Sequence, residues 1–273
     1  MGILRTLAAA LVGLVAAGPA QAVSLFGVDV GSDQLISIDP ATGAGTAIGP
    51  TGAADPAITG LAFAPDGTLF GVDRDLDTLV TIDTATGAAT EVGPLGVSTP
   101  EDLAFRADGT LFGLDRVSGQ LLTIDTATGA ATTVGALGFS QVLGLEFAAD
   151  GTLYGIDFGF DDLLTIDRAT GAANRLVSLT EGTLESTIVN LSITEDGTFF
   201  ATDNLINQLV TIDPLTGVVT NVGPLGFGGV RGFAATPSAA VPAAVVPLPA
   251  PAGLLLLSLG ALTFIARRRV TAG

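Results

Sequence analysis

The stretch from Gly60 to Gly96 reads GLAFAPDGTLFGVDRDLDTLVTIDTATGAATEVGPLG, and it decides the fold because the chain repeats it. From Asp102 it returns as DLAFRADGTLFGLDRVSGQLLTIDTATGAATTVGALG, and from Gly144 as GLEFAADGTLYGIDFGFDDLLTIDRATGAANRLVSL. A looser copy, NLSITEDGTFFATDNLINQLVTIDPLTGVVTNVGPLG, starts at Asn190. The Ile-Asp step falls at Asp39, Asp83, Asp125, Asp167 and Asp213, at spacings of 44, 42, 42 and 46 residues. A period in the forties with no helical pattern is that of a β-propeller blade.

Each unit divides into four short strands, a to d, seen in GLAF, TLFGVD, LVTID and ATEVG. Asp-Gly joins a to b, a polar loop joins b to c, and x-x-Thr-Gly joins c to d, all of it turn chemistry. Strand b is a nearly continuous apolar run, as in a sheet covered on both faces by its neighbours. Gly71, Gly113 and Gly155 recur within strand b, with Ala201 in the loose copy, and small residues there predict a close approach of adjacent sheets. The first unit lacks strand a and opens on Leu25-Phe26-Gly27-Val28-Asp29. The last is followed by Val230-Arg231-Gly232-Phe233-Ala234, an orphan strand a. If the orphan completes the first blade, all five units are whole and no sheet edge stays exposed. The expected fold is therefore all-β: a propeller of five four-stranded blades over residues 23–236, closed by pairing of the N- and C-terminal strands. The blade pattern resembles the NHL and YVTN-type repeat propellers of secreted bacterial proteins, a resemblance that carries over no functional residues.

Composition narrows the chemistry. The 273 residues hold 27 Asp and Glu against 10 cations, every one an arginine. Arg5, Arg267, Arg268 and Arg269 lie in the terminal segments, so the region between carries six arginines against all 27 acids, a net of −21. Such a domain repels nucleic acid and anionic lipid. The chain has no Cys and no His, which excludes disulfides, thiolate chemistry and the Ser-His-Asp triad. The catalytic designs left are carboxylate pairs and Ca²⁺ or Mg²⁺ held by oxygen.

Residues 1–22 read as a secretory signal peptide: one cation at Arg5, an apolar core from Leu7 to Ala17, and a small-x-small cleavage site at Ala20 and Ala22. The general secretion machinery is the expected route, since no Arg-Arg pair is present. The alternative is an uncleaved anchor, for which the apolar core is short. At the other end, residues 237–249 form a Pro/Ala linker, 250–266 an apolar run of 17 residues, and 267–273 an Arg-rich tail. As a helix the run spans about 25 Å, short of a hydrocarbon core of about 30 Å. Arg267, Arg268 and Arg269 would stay in the cytoplasm and stop transfer, with the propeller outside.

The motif Val246-Pro247-Leu248-Pro249-Ala250, then an apolar helix, then an arginine cluster, resembles the PEP-CTERM class of bacterial sorting signals in its VPLPA variant. Leu248 stands where the name-giving motif has Glu. The resemblance covers residues 246–269. It implies an exosortase that cuts near the Pro motif, an inner-membrane precursor, and a mature form on the surface of, or released from, a Gram-negative cell. The logic is that of a GPI tail, present in the precursor and absent from the product. A permanent anchor behind a Pro-rich linker is the alternative.

Three ladders of acids ride on the ring: Asp29, Asp73, Asp115, Asp157 and Asp203 at the end of strand b, the Ile-Asp series, and Asp66, Asp108, Asp150 and Asp196 before Gly. One reading is a ring of carboxylates for Ca²⁺ or a cationic ligand. The other is that each copy of a turn needs an Asp side chain for its backbone N–H groups. Asp73-Arg74-Asp75-Leu76-Asp77 begins like an EF-hand loop, but Thr78 and Thr84 stand where Gly and Glu are needed, so the EF-hand match fails and the readings left for this loop are a local Ca²⁺ site and simple pairing of Arg74 with a neighbour. In Asp157-Phe158-Gly159-Phe160-Asp161-Asp162 two aromatics flank acids, the ingredients of a sugar site or of packing between blades. The blades are alike, whereas an active site needs specialised loops. A non-enzymatic exported binding or structural component, with exosortase and extracellular polysaccharide as partners and no cofactor, is the first expectation. A carbohydrate- or small-ligand-binding module and a metal-dependent propeller hydrolase or lactonase are the alternatives.

Overall fold

The structure, a computed structural model, describes residues 23–52, 58–98, 100–180 and 187–237. Ala20, Ala22, Val246 to Ala250, the apolar run and Arg267 to Arg269 lie outside the described residues. Among the described residues no helix is long and apolar enough to cross a membrane.

Twenty strands form five antiparallel sheets of four. The chain opens with β1 (Leu25–Asp29), β2 (Gln34–Ile38) and β3 (Gly45–Pro50). Three complete blades follow: β4 (Ile58–Phe63), β5 (Leu69–Asp73), β6 (Thr78–Ile82), β7 (Ala89–Pro94); β8 (Pro100–Phe105), β9 (Leu111–Asp115), β10 (Gln120–Ile124), β11 (Ala131–Ala136); and β12 (Val142–Phe147), β13 (Leu153–Asp157), β14 (Asp162–Ile166), β15 (Ala173–Ser178). The fifth blade is β16 (Ile188–Ile193), β17 (Phe199–Asp203), β18 (Gln208–Ile212) and β19 (Val219–Pro224), and β20 (Val230–Ala235) ends the array. The order β20-β1-β2-β3 makes the first blade from both ends of the chain. Leu25 pairs with Ala235 and Asp29 with Val230, so the orphan strand is the missing strand a.

The innermost strands touch in the order β20, β4, β8, β12, β16 and back to β20, which closes the ring. Each blade also receives one backbone hydrogen bond from the next. Ala89, Ala131, Ala173, Val219 and Gly45 donate to Thr51, Leu95, Leu137, Thr180 and Leu225 at 2.9–3.1 Å. The second strand of a blade is buried along its whole length in the first, second, third and fifth blades. Aromatic pairs fill the seams: Phe26–Phe63, Phe70–Phe105 and Phe112–Phe147 at 5.4–5.5 Å, and Tyr154–Phe199 at 5.0 Å.

Two expectations need correction. The strand-b glycines do not bring adjacent sheets together. A Cβ on Gly71 would meet Ile82, Ile58 and Leu61 of its own blade at 3.0–3.3 Å, so the glycine makes room for flanking side chains. Close approach occurs instead on the innermost strands, where a Cβ on Gly60 would lie 2.7 Å from Asp102 Cα of the next blade, and on the outermost strands, where a Cβ on Gly49, Gly93, Gly135 or Gly223 would lie 2.0–2.3 Å from a carbonyl oxygen of the next blade. Closure also leaves outer edges. The perimeter strands β3, β7, β11, β15 and β19 are largely exposed along their middles. Each carries a bulge against its partner, which blunts an edge against pairing with another chain.

Candidate functional site: the channel mouth and its turns

Antiparallel blades put the a–b and c–d turns on one face of the ring and the b–c turns and interblade links on the other. On the first face the acids are turn caps. Asp66, Asp108, Asp150 and Asp196 accept the N–H of Thr68, Thr110, Thr152 and Thr198 at 2.9–3.1 Å. Asp39, Asp83, Asp125, Asp167 and Asp213 accept that of Ala41, Ala85, Ala127, Ala169 and Leu215 at 2.7–2.9 Å. Backbone donors hold the carboxyls of Asp66, Asp108, Asp125, Asp150 and Asp213 below their ordinary range, because they favour the charged form.

On the second face the strand-b ladder is buried, and it too serves turns. Asp29 takes the N–H of Ser32 at 3.1 Å, Asp73 those of Asp75 and Leu76 at 3.1 Å, Asp157 that of Gly159 at 3.0 Å and Asp203 that of Leu205 at 2.8 Å. Asp115 takes the N–H of Ser118 at 3.4 Å. Asp33, Asp77, Asp161 and Asn207 close the same turn at φ 52–53°, and Gly119 does so at 62°. Asp, Asn and Gly are the residues that tolerate this left-handed conformation, which explains why Asp77 and Asp161 recur. Asp75 is exposed. Asp162 is buried and committed to its own blade, accepting from Ser178 Oγ at 2.6 Å and pairing with Arg175 Nε at 3.0 Å. Phe158 is half-buried, and its N–H donates to Gln141 O at 3.0 Å. Phe160 is 74% exposed at the tip of its turn. Leu76, Val117 and Leu205 are 63%, 73% and 59% exposed on the corresponding turns, so four successive blades present an apolar tip on one face. Among the described residues no group of three or more carboxylates gathers in a metal-ligating arrangement.

The residues that the repeat pattern alone did not single out lie on the innermost strands. The third residue of these strands is Gly60, Gly144 or Gly232 in three blades, but Asp102 and Asn190 in the others. The fifth is Ala62, Ala104 or Ala234, but Glu146 and Ser192 in the others. The polar replacements stitch each strand to its neighbour. Asp102 Oδ2 accepts Leu145 N–H at 2.8 Å, and Asn190 Nδ2 donates to Val230 O at 3.0 Å. Ser192 Oγ accepts Ala235 N–H at 2.9 Å and donates to Glu146 Oε2 at 3.4 Å. Burial raises the carboxyl of Asp102 well above its ordinary range, and the nearby carboxyls of Glu146 and Glu101 add to this. Burial pushes Glu146 up to about 8. Part of the Glu146 surface remains accessible although protein surrounds it, as befits a side chain lining a narrow channel.

The second residue of these strands lies in a bulge in every blade except the first, where the bulge falls on Gly232. Bulges re-aim side chains. Around the ring this level carries Arg231, Thr59, Glu101, Leu143 and Val189. Glu101 Oε1 lies 3.9 Å from Arg231 Nη1, although β8 and β20 flank β4 on opposite sides, so the two side chains meet across the inner edge of β4. Glu101 Oε2 lies 3.5 Å from Arg116 Nε, on the b–c turn of its own blade. This ion-pair group therefore sits at the mouth of the channel on the b–c face.

No protein-family model and no curated protein sequence matches the chain. Solved structures do. A chain of the nidogen/laminin complex aligns with a TM-score of 0.57 at 14% identity, covering 80% of this chain and 100% of that one. A structural genomics protein of unknown function from Bacteroides thetaiotaomicron aligns with a TM-score of 0.51 at 18% identity, covering 74% of this chain and 58% of that one. A streptogramin B lyase aligns with a TM-score of 0.49 at 14% identity over 74% of this chain and 65% of the lyase. The first two likenesses bear on the fold alone, that of a β-propeller.

Proposed function

We propose that the chain is an exported, exosortase-processed propeller of the cell surface or extracellular matrix that acts as a non-enzymatic binding and structural component. One observation carries the binding part: Leu76, Val117, Phe160 and Leu205 stand exposed at the same turn of four successive blades. Apolar side chains gathered on one face of a soluble domain mark a contact surface. The export part rests on Ala20 and Ala22, on Val246 to Ala250 and on Arg267 to Arg269. Mass spectrometry of the protein from its native host tests it. The expected mature form begins near Val23 and lacks residues 253–273, and recovery of a peptide ending in Val270-Thr271-Ala272-Gly273 overturns the processing. The mouth of the channel favours a second reading, a module that binds a carbohydrate or another small ligand, because buried polar groups converge there with open valences. A metal-dependent hydrolase is the third reading, and metal analysis of the purified chain separates it from the other two.

A further inference from the structure

Thr59 is 4% exposed and its Oγ1 has no hydrogen-bond partner; Glu101 is 7% exposed and its Oε2 has none either. A buried polar atom left unmet keeps its full desolvation penalty, so native chains rarely leave two side by side. These two stand at the same level on adjacent strands, and Arg231 stands on the far side of Thr59. The guanidinium contacts to Glu101, at 3.5 and 3.9 Å, are longer than a hydrogen bond. They balance the charge without giving Glu101 Oε2 a hydrogen-bond donor. Leu143 and Val189 complete the level, so the mouth is polar over three blades and apolar over two.

We propose that this mouth, on the b–c face, binds a neutral polyhydroxylated molecule, the chemistry of a sugar ring. In that pose one hydroxyl donates to Glu101 Oε2 and accepts from Arg231, a neighbouring hydroxyl pairs with Thr59 Oγ1, and the C–H face rests on Leu143 and Val189. Charge decides the class. One carboxylate already faces two guanidiniums, so an ammonium would add a third cation. An anion would satisfy Arg231 and leave the buried oxygen of Glu101 repelled and still unmet. A hydroxyl both donates and accepts, which is what the adjacent groups require. The proposal rests on the small-ligand reading above and fixes its place and chemistry.

The test is saturation-transfer NMR and titration calorimetry on the full-length chain. The probes are glucose, galactose, mannose, N-acetylglucosamine and their β-linked trisaccharides. At least one saccharide is expected to bind, tenfold or more weakly in Glu101→Gln and several-fold more weakly in Thr59→Val. Both variants keep side-chain shape, and thermal melting checks that they fold. Phe160→Ser and Leu76→Ser are expected to change affinity less than twofold. Absence of binding by every saccharide overturns the proposal. So does binding indifferent to both Glu101→Gln and Thr59→Val. Binding that survives those changes and is lost in Phe160→Ser also overturns it and leaves the turn-tip surface as the binding face. Processing is read on a separate sample by mass spectrometry, so either proposal can fail without the other.

Discussion

On the face that carries the a–b and c–d turns, one turn is much like the next: an exposed Asp accepts an N–H two residues on, and a glycine follows. On the opposite face the b–c turns share a backbone but not a surface. A buried strand-end Asp and a left-handed Asp, Asn or Gly close each turn. The residues between are Val30-Gly31-Ser32, Arg74-Asp75-Leu76, Arg116-Val117-Ser118, Phe158-Gly159-Phe160 and Asn204-Leu205-Ile206. The first face solves its backbone problem with side chains at its surface, which fixes what that surface can be. The second solves the same problem below the surface and frees the tips to vary. Variation also runs down the channel at its second, third and fifth levels, where Glu101, Asp102, Glu146, Asn190, Ser192 and Arg231 break the pattern of small and apolar residues. The b–c face is therefore the one whose chemistry the fold leaves open.

The comparison breaks most severely if the ring is opened. Deleting residues 229–235 removes β20 together with the buried Phe233, which is 2% exposed, and strips Leu25 to Asp29 of a partner. The naked edge of β1 invites pairing with other chains. The expected result is aggregation on size exclusion and loss of the cooperative thermal transition. A monomeric deletion variant that melts like the full chain would show that closure contributes nothing.

The next effect comes from the channel. Because the folded-state pKa of Glu146 is raised from 4.5 to about 8, the folded state holds a proton that the unfolded state releases in that interval. Stability from this group is full below pH 4.5, falls as pH rises and is gone above about 8, at about 1.4 kcal/mol per unit, a few kcal/mol in all. Denaturant titrations at pH 5 and pH 9 should show the loss. Glu146→Gln should make it smaller, leaving the part that the raised carboxyl of Asp102 contributes, and be more stable than the parent at pH 9. Equal slopes in both proteins would sink the assignment.

A smaller step is expected at the seam between innermost strands. The Cβ of Gly60→Ala would meet Asp102 Cα at 2.7 Å, a backbone atom that cannot swing aside. Overpacking of this kind costs about 1–3 kcal/mol. At this chain length it lowers the melting temperature by about 2–4 °C per kcal/mol. Gly71→Ala, facing flexible Ile82 and Leu61 side-chain ends, should cost less. The reverse order, read by thermal melting, would mean that the seams are looser than the backbone spacing says.

Much of this was legible beforehand. The repeat period and the split unit at the two ends specify five blades and their closure, because only β20 lacks a partner within its own repeat. The acid ladders left two readings open, a carboxylate ring and turn caps, and in the described residues each ladder acid accepts a turn N–H. The channel was not legible, because its residues lie inside segments read as plain strands, and strand patterning reports burial rather than which neighbour a side chain meets. The signal was present in the aligned repeats: Gly, Gly and Gly at one level against Asp102 and Asn190, and Ala, Ala and Ala at another against Glu146 and Ser192. The strand-b glycines misled for the same reason, since spacing alone does not tell a neighbouring sheet from a neighbouring strand.

The smallest stability effect is expected at the turn tips, where the effect on adhesion lies. Leu76, Val117, Phe160 and Leu205 are all more than half exposed, so replacing any of them with Ser removes little buried area and should shift stability by no more than about 0.5 kcal/mol. Replacing a capping acid of the opposite face, such as Asp83 with Ala, leaves the N–H of Ala85 without its acceptor, takes one of two acceptors from the N–H of Thr86, and should lower the melting temperature by more than any tip change. The corresponding change at Asp167 should match it, because that turn repeats the same bond to Ala169. Adhesion of the labelled protein to matrix from its native host should respond in the opposite sense, weakened by the tip variants and indifferent to Asp83→Ala. If the tip variants adhere like the parent, the variable face is variable only because nothing constrains it, and binding must be sought elsewhere on the ring.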